Sequence, residues 1–167
     1  MRRMIDSSRF IEKFLQNYRF KIVMPYLKGD VLDFGGNKGE LKRYVKGKYL
    51  VVNYDHFLMK KNYFDTIVAL AVIEHIDFNE VFDIFKKFKK IMNKNGRVLV
   101  TTPTVFAKPV LEFWSFLGIV DSNNIIEHKH YWNKRELFSL ANETGLKVVK
   151  YRIFQFGFNQ LTVFAHK

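Results

Sequence analysis

Val31-Leu32-Asp33-Phe34-Gly35-Gly36-Asn37-Lys38-Gly39 is the stretch on which the fold of this 167-residue chain turns. Its first four residues read as a short buried strand that runs straight into two glycines, with a third four residues after the first. Glycine lacks the Cβ that would hold a ligand off the backbone, and it enters positive φ without steric cost. The pattern predicts a turn and then a helix of about two turns over residues 38–45, whose free N–H groups would face an anion. An open α/β sheet binds its ligand at the carboxyl ends of its strands, where strand order reverses. A dinucleotide fingerprint would need glycine where Asn37 stands. The spacing here is instead D-x-G-x-x-x-G, with an acid on the strand itself.

Upstream, residues 8–27 carry Phe10, Ile11, Phe14, Leu15, Tyr18 and Ile22 at helical spacing, so residues 1–28 read as an amphipathic leading helix that Gly29 ends. Downstream, Tyr49-Leu50-Val51-Val52-Asn53-Tyr54 reads as a second strand ending at Asp55, twenty residues after Gly35. At that distance a carboxylate can accept hydrogen bonds from both hydroxyls of a ribose. The run over residues 66–73 is nearly all apolar, as a central parallel strand is when both faces are covered. Asp77 with Glu80 predicts a capped helix striped by Val81, Phe82, Ile84, Phe85, Phe88, Ile91 and Met92. Asn95-Gly96 is expected to close that helix before a strand over residues 97–101. A second capping pair, Asn133 with Glu136, opens a helix ending at Gly145. Residues 146–154 and 161–165 then read as two strands whose short connection makes them antiparallel neighbours. Strands alternating with helices before a closing antiparallel pair describe an α/β open sheet, mostly parallel, in a single domain over residues 1–167.

Composition narrows the function classes. The chain has no cysteine, which excludes disulfides, thiolate metal sites and cysteine nucleophiles. No apolar run reaches the roughly 18 residues that span a bilayer, and the basic N-terminus leads into amphipathic rather than continuously apolar sequence, so a cytoplasmic location without membrane partners is expected. The 28 Lys+Arg against 16 Asp+Glu give a net charge of +12. That charge admits an RNA partner, but the densest lysine group, at residues 86–90, falls on the polar face of a striped helix, where solvated lysines are ordinary.

With these segments in hand, a family resemblance emerges. Residues 31–39 resemble the first motif of class I SAM-dependent methyltransferases, usually close to V-L-D-L-G-C-G-T-G, and Asp55 stands where that family keeps its ribose-binding acid. Phe64-Asp65-Thr66-Ile67-Val68-Ala69-Leu70-Ala71-Val72-Ile73-Glu74-His75-Ile76 is similar to the F-D-x-I-x-x-x-x-V-L-E-H-I segment of small-molecule members, the type 11-like methyltransferases. Residues 91–103, with Gly96 and Pro103, resemble L-K-P-G-G-x-L-x-I-x-T-P, and residues 127–137 resemble E-H-x-x-x-[FY]-[ST]-x-x-E-L. The resemblance implies a Rossmann-like fold and S-adenosyl-L-methionine (SAM) as cofactor. It implies that Asp33, Gly35, Gly36, Asn37 and Gly39 cradle the methionine part of SAM and that Asp55 holds the ribose. Main chain at Leu70 and Ala71 would meet the amino-acid end, with Val72 near the cofactor. On the residues alone, Asp33 could instead simply tie the loop together.

The chain departs from the family pattern at Asn37, which replaces a glycine but tolerates positive φ. Lys38 replaces a small hydroxyl residue. The larger departure is a deletion: only residues 56–63 separate Asp55 from Phe64, too few for a helical crossover and a third strand. Extended, they span roughly 25–30 Å, enough for a bare return of roughly 20 Å along and past a neighbouring strand. The third strand and its helix are therefore expected to be missing, leaving the second strand as an edge that a homodimer or another partner could cover. Adenine contacts would then fall to residues such as His56.

Methyl transfer needs the acceptor lone pair in line with the S–CH₃ bond, and a base only if the acceptor must lose a proton. His75, His128 and His130 are the candidate bases, each with a plain packing role as its alternative, while Glu74 could contact a ligand or start a helix. No third metal ligand accompanies His128 and His130, so no metal is expected. Residues 104–132 form a candidate substrate-cover segment, rich in rings at Phe106, Phe113, Trp114 and Phe116, with Trp132 at its end; the alternative is that these rings fill a small core or cover the face the missing helix leaves bare. The [DN]-P-P-[YF] motif of nucleic-acid amino methylases is absent, since Ala71-Val72-Ile73-Glu74 occupies its place. The reading is a SAM-dependent methyltransferase acting on O or N of a small-molecule substrate. Its alternatives are an RNA methyltransferase and a non-catalytic methyltransferase-fold partner subunit.

Overall fold

A computed structural model describes residues 2–53, 64–107, 109 and 129–167, with side chains from residue 13 onward. Helix α1 (Arg2–Val23) leads into a 3-10 turn at Met24–Tyr26, where Pro25 occupies an early turn position that needs no N–H donor. Strand β1 (Val31–Phe34) follows, then β2 (Tyr49–Val52), β3 (Phe64–Leu70), helix α2 (Phe78–Ile91), β4 (Met92–Pro103), helix α3 (Lys134–Glu143), β5 (Leu146–Phe154) and β6 (Asn159–His166). The sheet order is β2-β1-β3-β4-β6-β5. The first four of these are mutually parallel, and β6 runs antiparallel to both β4 and β5. Chain order reverses beside β1, whose two neighbours β2 and β3 lie on opposite sides. Among the described residues no strand lies beyond β2, and Leu50 is 40% exposed along that edge. Among the described residues β2 is therefore the edge of the sheet, while residues 56–63, the shortened connection, lie outside them.

Alternation along the strands divides the core between two faces. Leu32, Phe34, Ile67, Val98, Val100 and Phe164 pack with Val81, Ile84, Phe85 and Phe88 of α2 and Leu137, Leu140 and Ala141 of α3. Val31, Val68, Leu99, Leu161 and Val163 pack with Phe20 and Val23 of α1. Each such side chain, fully buried, contributes about 1.5–3 kcal/mol from apolar transfer. Period 2 thus sends Asp33 to the α1 face, next to buried Val31 and opposite to Leu32 and Phe34.

Several boundaries differ from expectation, each for a local reason. The helix expected over residues 38–45 is a single 3-10 turn, Glu40–Tyr44, because Gly39 sits in left-handed geometry (φ 69°) and cannot belong to a right-handed helix. The central strand stops at Leu70, since Ala71 turns to φ 56°. Helix α2 ends at Ile91, and Gly96 lies inside β4, beside a shift in strand register, rather than closing the helix. Asp77 makes no side-chain cap, because its carboxylate accepts a hydrogen bond from Lys129 Nζ at 2.8 Å. The Asn133–Glu136 capping box does form, with bonds of 3.0 and 2.9 Å, and Gly145 follows α3 at φ 70°. The buried side of α1 departs in part from the expected stripe: Ile22 packs against the core and Tyr18 stacks on Phe154, but Phe14 is 61% exposed, while Phe20 and Val23, outside the stripe, are buried. No helix among the described residues is long and apolar enough to cross a membrane.

Candidate active site

The turn after β1 is held by backbone bonds. Gly35 N–H donates to Val52 O at 2.9 Å, and Gly39 N–H donates to Gly36 O at 2.8 Å. Gly35 has φ 75° and Asn37 φ 45°, the left-handed region that asparagine tolerates better than most residues. The two leading glycines are dictated by neighbours within the fold. A Cβ on Gly35 would lie 2.7 Å from Val72 Cγ2, and one on Gly36 would overlap the Asp33 carboxylate. The expected reason, open access for a ligand, is thus joined by a packing reason that the sequence did not disclose.

Asp33 is only 4% exposed, and its Oδ2 accepts a hydrogen bond from the Tyr49 hydroxyl. Burial pushes its carboxyl up to about 6, against the stabilising effect of that bond. Burial and the adjoining Asp33 also raise the Tyr49 phenol far above its ordinary value. Opposite the loop, Ala71 holds positive φ while its N–H donates to Thr101 O at 2.8 Å. A non-glycine residue in this conformation costs of order 1–3 kcal/mol, and it turns Leu70 and Ala71 toward the glycine loop.

Between these walls lies a cavity of about 190 Å³, bounded by Asp33, Gly35, Gly36, Asn37, Leu70 and Ala71 together with Gln16, Arg19 and Phe20 of α1 and Glu40 and Leu41 of the 3-10 turn. Pockets for drug-sized ligands run from about 300 to 1,000 Å³. This volume suits the amino-acid end of a larger ligand. Asp33 supplies an acceptor there, and the Gly35–Asn37 and Leu70–Ala71 turns form its walls.

Six of the residues expected at the cofactor, Asp33, Gly35, Gly36, Asn37, Leu70 and Ala71, therefore meet at one cavity. Gly39 closes the turn without lining the cavity, Val72 supports Gly35, and Lys38 is exposed. Asp55, His56 and His128 lie outside the described residues, as do Phe113, Trp114 and Phe116. His75 belongs to the 3-10 turn Ile73–His75, its N–H bonded to Val72 O at 3.0 Å. His130 lies apart from the cavity, with Nε2 3.0 Å from Glu136 Oε2 and its ring against Phe78 and Trp132. Trp132 is fully buried, stacks on Phe78 and donates Nε1–H to Ile73 O at 3.3 Å, so it is a core residue.

Two further charged groups stand near the loop: Glu74, expected either to contact a ligand or to start a helix, and Arg19, for which the sequence carried no expectation. Arg19 is only partly buried as a residue, but its Nε is closed off from solvent and finds no acceptor. Glu74 is 1% exposed, and its Oε2 likewise has no partner. Burial raises the Glu74 carboxyl to about 7, opposed by its own backbone N–H, by Arg19 and by the Thr102 hydroxyl. Burial also lowers the Arg19 guanidinium from its usual value, while Glu74 pulls the other way. The two thus influence each other, yet no ion pair joins them. Nothing in the spacing of α1 could reveal Arg19, since on a helix wheel it reads as a solvated face. Glu74 offered one cue, an acid directly after the nearly all-apolar run of residues 66–73.

Comparison with known proteins follows the same line. Residues 8–151 match a family described as a methyltransferase domain. No curated protein sequence matches the chain significantly. Among solved structures, a protein from Pyrococcus horikoshii OT3 superposes with a TM-score of 0.70 at 15% identity, covering 93% of this chain and 92% of the other. The mitomycin 7-O-methyltransferase superposes at 0.63 with 16% identity, over 83% of this chain and 49% of that one. A methyltransferase of calicheamicin biosynthesis, solved with S-adenosylhomocysteine (SAH) bound, superposes at 0.62 with 17% identity, over 84% and 49%. The chain spans nearly the whole of the first and about half of the other two. At such identities the likeness is one of fold.

Proposed function

This chain belongs to the methyltransferase-domain family, whose members draw their methyl group from S-adenosylmethionine, and we propose that it passes that group to an oxygen or nitrogen of a small-molecule acceptor. The observation that carries the site assignment is the convergence of Asp33, the Gly35–Asn37 turn and the Leu70–Ala71 turn on one cavity at the carboxyl ends of β1 and β3. That is where an open α/β sheet takes its ligand. The small acceptor is supported by the likeness in fold to the mitomycin 7-O-methyltransferase and to a methyltransferase of calicheamicin biosynthesis, the first of them named for transfer to oxygen.

SAM brings an electrophilic methyl group on a sulfonium, so the protein's part is to bind, orient and exclude water. Asp33 and the glycine turn would hold the amino-acid end, with Asp55 at the ribose and His56 toward the adenine. Val72, braced against Gly35, lends the turn a rigid apolar floor. A hydroxyl acceptor must also shed a proton, and His75, His128 and His130 are the candidate bases, since an imidazole nitrogen can accept one. A partner along the β2 edge would shield Leu50.

The experiment is direct. Protein purified without added cofactor is denatured and examined by mass spectrometry for SAH, and calorimetry with SAH is run on the wild type and on Asp33→Ala. Co-purified SAH, or binding that Asp33→Ala weakens, supports the reading. No binding at millimolar SAH would overturn it.

A further inference from the structure

The loop cavity has a positive charge on its wall that the fold itself does not use. Arg19 reaches it from α1, and its buried Nε–H has no acceptor. Buried donors are nearly always satisfied, so an orphan on a cavity wall marks the place of a missing acceptor. The acid that influences Arg19 electrostatically is Glu74, which forms no ion pair with it and keeps its own Oε2 unpartnered. Two buried, opposite charges that stop short of contact leave the guanidinium free for a third group.

We propose that Arg19 receives the carboxylate of the methyl donor's amino-acid end, and that Glu74, standing behind it, competes with that carboxylate for the same guanidinium. The proposal rests on the SAM reading above. Three observations support it. The guanidinium fork is built for carboxylates, which it can bind through two parallel hydrogen bonds. The cavity, at about 190 Å³, suits an amino-acid end, and the Asp33 carboxyl on its lining can accept from an ammonium. And α1 turns Gln16, Arg19 and Phe20 onto the cavity; Gln16 Nε2 donates to Glu40 Oε2 at 2.6 Å and so pins the helix there.

A consequence follows for pH. A cofactor carboxylate and an ionised Glu74 repel across a poorly solvated space, so binding favours protonated Glu74. The group titrates near 7, and affinity for SAH should therefore fall as pH rises through neutrality. The groups facing Glu74 are Arg19 from α1 and the Thr102 hydroxyl from β4. The segment before α3 meets it through the backbone N–H groups of Lys129 and His130, whose side chains turn to Asp77 and Glu136. His75 and Asp77 flank it in its own segment. Asp33, titrating near 6 in the same cavity, adds its own dependence, which a Glu74 variant separates out.

Calorimetry on the full chain tests this with two probes, SAH and 5′-methylthioadenosine, which keeps the nucleoside and sulfur but lacks the amino-acid end. Arg19→Gln is expected to weaken SAH by about tenfold or more, the usual scale for a charged hydrogen bond, while leaving 5′-methylthioadenosine within about twofold. Arg19→Lys, which keeps the charge and loses the fork, should recover part of the difference and serves also if Arg19→Gln folds poorly. Glu74→Gln should keep SAH affinity near pH 6 and flatten its decline toward pH 8. Equal losses for both probes, or none for either, would overturn the role of Arg19. An unchanged pH slope in Glu74→Gln would overturn the competition. A wild type that binds 5′-methylthioadenosine but gains nothing from the amino-acid end would overturn this proposal and leave the SAM reading standing, whereas failure to bind either probe would remove both.

Discussion

Tyr49, on the edge strand, donates its hydroxyl to Asp33 Oδ2 on the strand beside it. The edge of the sheet and the loop at its switch point are thereby one mechanical unit. Tyr49→Phe leaves a carboxylate that is 4% exposed without this donor, and a lost partner for a buried acceptor costs about 1–3 kcal/mol. The expected result in urea denaturation is a loss of that size near pH 8, shrinking near pH 5, where Asp33 is protonated. The Asp33 carboxyl itself should climb above about 6, readable by carbon NMR of the side chain. Equal stability of the variant and wild type at pH 8 would contradict the contact's role.

Asp33 and Glu74 both titrate higher in the folded chain, near 6 and 7, than their ordinary 3.8 and 4.5. The folded state therefore holds protons that the unfolded state has released. Their contribution to stability is complete below about pH 4 and is lost as pH rises through 6 to 7. Glu74→Gln removes the larger part of this penalty, on the order of a few kcal/mol from the size of the shift. Denaturation curves should show wild-type stability declining from pH 5 to pH 8 and the variant declining less. Parallel curves for the two proteins would sink the assignment.

Gly35 combines φ 75° with a Cβ position 2.7 Å from Val72 Cγ2. Left-handed geometry alone costs an alanine roughly 1–2 kcal/mol, and the overlap adds to it. Gly35→Ala is expected to lower the thermal midpoint and weaken SAH binding together. Adding Val72→Ala relieves the overlap but not the φ penalty, so the double variant should recover only part of the loss. Full recovery would show that backbone conformation contributes nothing at this position.

Asn133 and Asp77 both precede helices, but only Asn133 caps one through its side chain. Asn133→Ala should cost about 1 kcal/mol, the usual value for a lost N-cap. Asp77→Ala gives up only an exposed ion pair with Lys129 and should cost at most about 0.5–1 kcal/mol. Chemical denaturation of the two variants side by side measures the contrast, and a larger loss at Asp77 would reverse the account.

The sequence alone determined the order of strands and helices, the position of the glycine turn, the antiparallel closing pair and, among the described residues, the edge at the second strand, because these follow from period, turn chemistry and the length of a connection. Asp33, Gly35, Gly36, Asn37, Leu70 and Ala71 could be read as a set for the same reason, since each lies at or just past a strand's carboxyl end. Where elements begin and end escaped it at Gly39, Ala71 and Gly96, since those ends depend on backbone conformations that a neighbouring strand imposes. Tertiary structure alone decided which face of α1 turns inward. Hydrophobic period selected Phe14, but the helix packs Phe20 and Val23 and sets Arg19 at the cavity. A helix wheel scores one helix by itself and cannot register which of its sides the sheet and the glycine loop will cover.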